Sequence, residues 1–392
     1  MPDPGFVPPH PFEAGSSIVN LAAGIAGRFG VRTPAAPLIE PVLDDALTAA
    51  ASVVTVLFDG LGERQLAAHA PHGALMQHRL RALDSVFPSS TAPAVTSLAA
   101  AAPPAVHGNP AWMIWSECAG AIIRTLPMDV RGDPQRKVLA ADTWQWQPWA
   151  MRAQVPSWAI LPREIVDSEY SRHTYAGSSR LGYARIEDIA SLVAEALRAG
   201  SAGASIFVYL PQFDAVSHEA GWQSDAAAAV VRDFDRWFAG LLDRLRAFDA
   251  LVVASADHGF VDVAERDQLR LEDFPEIGAC LERPLCGEPR VPFCQVRADR
   301  RERFPGIVAA ALGDAFAVHE SGALLRAGWF GATASGVGPA PLAGRVGTHL
   351  LVPNRCVTLV DTVEGERAPR FVGMHGGISD DEMRVPLLAA WR

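Results

Sequence analysis

The chain has 392 residues, 49% of them hydrophobic and 20% charged, which supplies enough apolar surface to offset chain entropy and excludes an intrinsically disordered protein. A formal charge of −10 excludes the basic stripe of a protein that coats nucleic acid. It suits a site in which bound cations balance an acidic cluster.

The first dozen residues include Pro2, Pro4, Pro8, Pro9 and Pro11 and are expected to form an extended arm. This start has no basic leader region, and the first apolar stretch is interrupted by Asn20 and Gly24, unlike a secretory signal. No uncharged apolar run reaches the length of a membrane span. Five cysteines, Cys118, Cys280, Cys286, Cys294 and Cys356, contain no CxxC pair, so buried structural thiols are expected rather than a disulfide framework. These features predict a soluble protein of a reducing cytoplasm, with a homo-oligomer left open.

Along the chain, strand-like and helix-like segments alternate. Ser52 to Phe58 is a nearly continuous β-branched run, as expected of a parallel strand covered on both faces, and it ends at Asp59-Gly60. Ile186 to Ala199 places Ile186, Ile189, Val193 and Leu197 on one helical stripe and stops at Gly200. Ser205 to Leu210 is a second apolar strand, leading through Pro211 to Asp214. A long helix is expected from about Asp225 to Phe248, with Val231, Phe234, Phe238, Leu241 and Leu245 inward. Leu251 to Ala256 is a third such strand, ending at Asp257-His258-Gly259. The alternation predicts an α/β fold with a predominantly parallel sheet and helices on both faces. From 262 to 345 the periodicity weakens and Arg, Pro and Gly accumulate, so a smaller inserted cap is expected there, with 1–261 and 346–392 forming the core. Thr348 to Val352 and Val385 to Leu388 would return the chain to that core.

Three separate apolar strands thus lead to an aspartate. Ligands of open α/β sheets bind beyond the carboxyl ends of the strands, so Asp59, Asp214 and Asp257 are candidates for one cleft. Carboxylates brought together repel, and a cation relieves that repulsion. His218 follows Asp214 by four residues, His258 adjoins Asp257, and His375 sits in the loop Gly373-Met374-His375-Gly376-Gly377. Three carboxylates and three imidazoles make a mixed nitrogen and oxygen set that suits zinc and suffices for two ions. The candidate nucleophile is Thr91, in Phe87-Pro88-Ser89-Ser90-Thr91-Ala92-Pro93, where a hydroxyl at the mouth of a helix meets amides that face phosphate oxygens. Taken singly, Asp59-Gly60 also reads as a strand-ending turn, Asp214 and His218 as a solvated helix pair, and Thr91 as an N-cap. His107 is expected to pack the loop beside the nucleophile helix. Trp112, Trp115, Trp144, Trp146 and Trp149 are expected in core and cap packing rather than in a substrate pocket.

In this order the segments resemble the alkaline phosphatase superfamily, and specifically its nucleotide pyrophosphatase/phosphodiesterase branch. The matching pieces are Leu57-Phe58-Asp59-Gly60, the Phe87 to Pro93 stretch followed by His107-Gly108, Asp214-x-x-x-His218-x-x-Gly221, Ala256-Asp257-His258-Gly259 and Gly373 to Gly377. The resemblance implies an alkaline-phosphatase-like fold and hydrolysis of phosphodiester or pyrophosphate bonds of a small phosphorylated substrate, such as a nucleotide. It implies one metal held by Asp214, His218 and His375, and a second held by Asp59, Asp257, His258 and Thr91, with Thr91 forming a covalent phosphothreonine intermediate. Several positions depart from the pattern. Ala94 stands where an asparagine commonly follows the nucleophile, Asn109 lies at a shorter offset than the second asparagine, and Ala92 replaces the base-stacking aromatic. Val95 stands where sulfatase relatives carry arginine, which argues against sulfate esters. A phosphomonoesterase or phosphonate-ester hydrolase with the same metals, and an inactive member that binds a phosphorylated ligand, are the alternative expectations.

Overall fold

In the computed structural model, which describes residues 15–331, 340–366 and 370–391, apolar runs flanked by amphipathic helices build a seven-stranded main sheet. The proline-rich arm expected over the first dozen residues lies outside the described residues. The seven strands of this sheet lie in the order Arg79–Asp84, Arg384–Ala390, Ala250–Ser255, Ser52–Phe58, Ser205–Leu210, Ser157–Pro162 and Ser179–Tyr183. Arg384–Ala390 runs antiparallel to both neighbours, and the remaining ladders are parallel. The fold is therefore α/β, with a mostly parallel central sheet.

Both faces of the sheet are covered, because side chains alternate along each strand and the run Ser52–Phe58 is apolar on both sides. On one face Thr55 lines a small cavity together with Ala22 and Ile25 of helix Ile18–Arg28 and Val95 and Leu98 of helix Thr91–Ala100. On the other, the Phe58 ring lies 5.0 Å from that of Phe234 in helix Asp225–Leu245. That helix is capped by Ser224, whose hydroxyl accepts the Ala227 amide, and it buries Val231, Phe234, Phe238, Leu241 and Leu245. It stops three residues short of the expected end. Helix Ile186–Ala199 has the expected bounds, with Gly200 at its C-cap.

The second sheet is antiparallel and contains eight strands, in the order Phe316–Glu320, His349–Pro353, Pro292–Cys294, Cys286–Gly287, Met113–Ser116, Ala121–Arg124, Asp129–Val130 and Asp133–Lys137. It draws on two distant segments, 113–137 and 286–353, joined where Gly287 pairs with Met113. The insertion expected at 262–345 overlaps only the later segment, and 113–137 falls within the expected core range 1–261. His349–Pro353 also differs from expectation. It does not return to the main sheet but pairs with Pro292–Cys294 and Phe316–Glu320, and only Arg384–Ala390 makes the return. The reason is backbone satisfaction: strands this short leave unpaired amides and carbonyls unless they combine into a larger sheet. Phe304, Val308, Phe316, Val296 and Leu351 form a separate apolar cluster beneath it.

None of the five cysteines is paired. Cys280, Cys286 and Cys294 are buried as expected, whereas Cys118 is exposed. Among the described residues no helix is long and apolar enough to cross a membrane.

Candidate metal centre and active-site cavity

Asp59 and Asp257 follow the adjacent parallel strands Ser52–Phe58 and Ala250–Ser255, and Asp214 lies in the first turn of helix Gln212–Ala220, just beyond Ser205–Leu210. The three carboxylates therefore meet at one end of the sheet, where parallel strands direct their carboxyl termini. The backbone helps to set them. The Gly60 amide donates to Asp257 Oδ1 at 2.9 Å, with Gly60 at φ +75°, where a Cβ would overlap the Phe260 ring. The His258 amide donates to the same oxygen at 3.1 Å.

The imidazoles close around the carboxylates. His258 Nε2 is 3.4 Å from Asp59 Oδ1 and 3.7 Å from Asp257 Oδ2. His218 Nε2 and His375 Nε2 lie 3.4 and 3.6 Å from Asp214 Oδ1. His218 Nδ1 faces the Gly373 carbonyl at 2.9 Å and His258 Nδ1 the Gly259 carbonyl at 3.1 Å, so each ring donates at Nδ1 and presents a bare Nε2 to the centre. Ligand atoms of Asp59, Asp257 and His258 lie within 4.8 Å of one another, and so do those of Asp214, His258 and His375. All six residues expected at the site are thus brought together, with His258 close enough to serve either carboxylate group.

Electrostatics identifies what this cluster needs. Burial, then the charges of Asp257 and Asp214, push the Asp59 carboxyl well above its ordinary range. Burial also raises Asp257, although His258 opposes it. His375 is held well below the usual imidazole value by burial and by His258 and His218. Burial opposes charge on His218, but Asp214 outweighs it and raises that ring. Asp257 Oδ2 and Asp214 Oδ1 are buried and lack a hydrogen-bond partner. Orphaned carboxylate oxygens at a carboxylate cluster are costly, and a divalent cation satisfies them. The donor set therefore fits metal ions.

Thr91 is the first residue of helix Thr91–Ala100, and the N-cap is Ser90. The Thr91 hydroxyl is accordingly not spent on capping. It lies 3.1 Å from His258 Nε2 and 3.5 Å from Asp59 Oδ1. A buried polar network holds this helix from below. Asn109 Nδ2 donates to Thr96 Oγ1 at 2.9 Å and to the Ala92 carbonyl at 3.3 Å, and Thr96 shares a hydrogen bond with Tyr170. His107 Nδ1 accepts the Asn109 amide at 3.1 Å, so its Nε2–H faces Ser97 Oγ at 2.8 Å. Burial and the Arg345 charge keep His107 neutral, pushing its pKa down to about 3. Asn109 is thus a prop for helix Thr91–Ala100 and is not among the residues lining the cavity, and His107 has the structural place expected of it.

The site opens into a cavity of about 580 Å³ whose far walls come from the second sheet and from 359–366. Trp112, Met113, Leu126, Leu285, Leu359 and Phe371 give it a largely apolar lining. Of the five tryptophans considered, only Trp112 reaches it; Trp149 instead stacks on Phe29, and Trp115 lies under the Arg283 guanidinium. Sequence reasoning missed Tyr209, whose hydroxyl donates to Asp59 Oδ2, and Glu288, which faces the cavity from the second sheet. Tyr209 was detectable as the polar-tipped residue of an otherwise apolar strand, whereas Glu288 carries no local signal.

The structure is similar to that of murine ectonucleotide pyrophosphatase / phosphodiesterase 5, with a TM-score of 0.66 at 16% identity over 86% of this chain and 87% of that one. An inactive variant of the murine protein in complex with AMP gives 0.65 over the same shares. Phosphonoacetate hydrolase from Sinorhizobium meliloti 1021, in complex with phosphonoacetate, gives 0.62 at 16% identity over 87% and 90%. Such identities speak for a shared fold. No curated protein matches the chain by sequence. The family model "Type I phosphodiesterase / nucleotide pyrophosphatase" matches residues 53–378, which contain every residue of the centre. The chain belongs to that family, the nucleotide pyrophosphatase/phosphodiesterase branch of the alkaline phosphatase superfamily, and is a metal-dependent phosphoric ester hydrolase.

Proposed function

We propose that the protein hydrolyses phosphodiester or pyrophosphate bonds of a small substrate through a covalent phosphothreonine at Thr91. The observation that carries this reading is the placement of the Thr91 hydroxyl, within 3.5 Å of both His258 Nε2 and Asp59 Oδ1, at the mouth of a helix and on the wall of the large cavity that borders the carboxylates. Two divalent ions, zinc by donor chemistry, would be held by Asp214, His218 and His375 and by Asp59, Asp257, His258 and Thr91. When bound, such a pair supplies charge neutralisation for the attacking and leaving oxygens.

The chain's own groups account for the rest. Asp59 and His258 hold the Thr91 oxygen and take up its hydrogen bond. The Thr91 and Ala92 amides have no intrahelical acceptor and are available to phosphoryl oxygens; Pro93 carries no N–H, and the Ala94 amide donates to the Ser90 carbonyl. With Asn109 committed to the helix, no side-chain amide from the expected positions serves those oxygens.

The leaving-group side favours an ester with an uncharged or aromatic portion. Arg131 donates through Nε to Glu366, through one terminal nitrogen to Leu285 O and Asp361, and through the other to Asp361 O and Glu366. Arg124 is held bidentately by Asp129. These cations are neutralised inside the wall, which disfavours a substrate with a second anionic group and so ranks a phosphonoacetate-type reaction lower. Ala92 is buried in the helix, so any base stacking falls to Trp112 or Phe371.

The test is a rapid quench of zinc-loaded enzyme turning over a radiolabelled diester, followed by peptide mapping. Label on Thr91, absent in Thr91→Ala, is the expected result. A wild-type enzyme that turns over with no label on any residue refutes the covalent route. Failure of metal-loaded protein to cleave any phosphate ester leaves only a ligand-binding role.

A further inference from the structure

The cavity contains one carboxyl that the catalytic account does not use. Glu288 follows strand Cys286–Gly287 and is only 4% exposed, and it lines the same wall as Ser90, Thr91 and His218. Its Oε1 accepts the Trp112 amide at 2.7 Å, and the hydroxyl of Ser90, next to Thr91, lies near enough to favour its charged form. Gly376 presses against it from the other side: a Cβ at that position would lie 2.9 Å from Glu288 Cβ. The side chain is therefore held in one place by the second sheet, the nucleophile loop and the His375 loop together.

No arginine or lysine forms an ion pair with Glu288 among the described residues, and the two cavity arginines are engaged elsewhere. Burying a carboxyl without a cation partner is unfavourable, and a purely structural role would be filled as well by a neutral amide. Burial pushes its pKa up to about 7, against the Trp112 amide, the Ser90 hydroxyl and the nearby His218. Such uncompensated charge beside a reactive group marks a functional position.

Resting on the reading of Thr91 and two divalent ions given above, we propose that Glu288 is a specificity determinant: its carboxylate, fixed beside Thr91, disfavours dianionic phosphate monoesters and leaves the site to monoanionic diesters. The charge balance explains the effect. Two divalent ions against Asp59, Asp214, Asp257 and a Thr91 alkoxide sum to about zero, so Glu288 makes the phosphoryl face negative. A monoester brings one more negative charge there than a diester does. At an effective dielectric of about 20, one further unit charge about 5 Å from Glu288 costs the monoester more than a factor of ten.

The test compares kcat/KM for para-nitrophenyl phosphate and bis(para-nitrophenyl) phosphate in zinc-loaded wild type, Glu288→Gln, Glu288→Ala and Glu288→Asp. At about pH 8.5 the monoester is a full dianion and the Glu288 carboxyl is ionised. The monoester-to-diester ratio should rise about tenfold or more in Glu288→Gln, which keeps an acceptor for the Trp112 amide, and stay near wild type in Glu288→Asp, which keeps the charge. Glu288→Ala removes the charge by another route and gives the same reading if the Gln chain does not fold. An unchanged ratio in the neutral variants, or a parallel fall for both substrates, overturns the assignment of Glu288 alone. Absence of diester cleavage by the wild type strikes instead at the function on which it rests.

Discussion

Glu288 also predicts a stability effect that needs no turnover. In the metal-free protein burial pushes its carboxyl from an ordinary 4.5 up to about 7. A carboxyl whose folded pKa is raised binds its proton more tightly in the native state, so its stabilising contribution is complete below the unfolded pKa. That contribution is lost as pH climbs toward the folded value. The Gln variant carries no such proton. Between about pH 5 and pH 8, wild type should therefore lose roughly 2.5 kcal/mol of unfolding free energy relative to Glu288→Gln, at 1.36 kcal/mol per pKa unit across that window. The assay is urea unfolding of chelator-treated wild type and Glu288→Gln across that range, followed by tryptophan fluorescence. A difference that stays within about 1 kcal/mol, or one that favours wild type at high pH, would refute the burial argument for this side chain.

The same physics yields further expectations. Asp257→Asn removes the orphaned Oδ2 charge, so metal analysis should show fewer bound ions per chain, with diester hydrolysis falling at least about a hundredfold. Asn109→Ala removes the amide that donates to Thr96 Oγ1 and the Ala92 carbonyl beneath helix Thr91–Ala100, leaving Ala92 only the Thr96 hydroxyl as a side-chain donor. It should cost about 1–3 kcal/mol in denaturant unfolding and lower kcat more than it alters KM. Gly60→Ala places a Cβ against Phe260 at a positive φ and should destabilise by at least about 1–2 kcal/mol; a neutral result by calorimetry would contradict the close approach.

Much of the main sheet was legible because its signals are local. The runs ending at Phe58, Leu210 and Ser255 are apolar on both faces, which only a doubly covered strand requires, and helix Ile186–Ala199 stops at its glycine. The second sheet was not legible in the same way. Asp133–Lys137 is wholly exposed and reads as a loop, and Cys286–Gly287 is two residues long. Such strands exist because partners from a distant segment satisfy their backbone groups, a condition no short window reports.

The amino-acid order alone singled out the candidate groups: Asp59 and Asp257 at the ends of apolar strands, Asp214 just beyond a third, His218, His258 and His375 beside them or in a glycine loop, and Thr91 at a helix mouth. Each is placed by its own element, so its position follows from local pattern. Only the tertiary structure decided the surroundings: that Asn109 supports the helix instead of facing substrate, that Arg131 is neutralised by Asp361 and Glu366, and that Glu288 arrives beside the nucleophile. The last two depend on pairing between segments more than a hundred residues apart, and non-local pairing leaves no periodic trace in the chain.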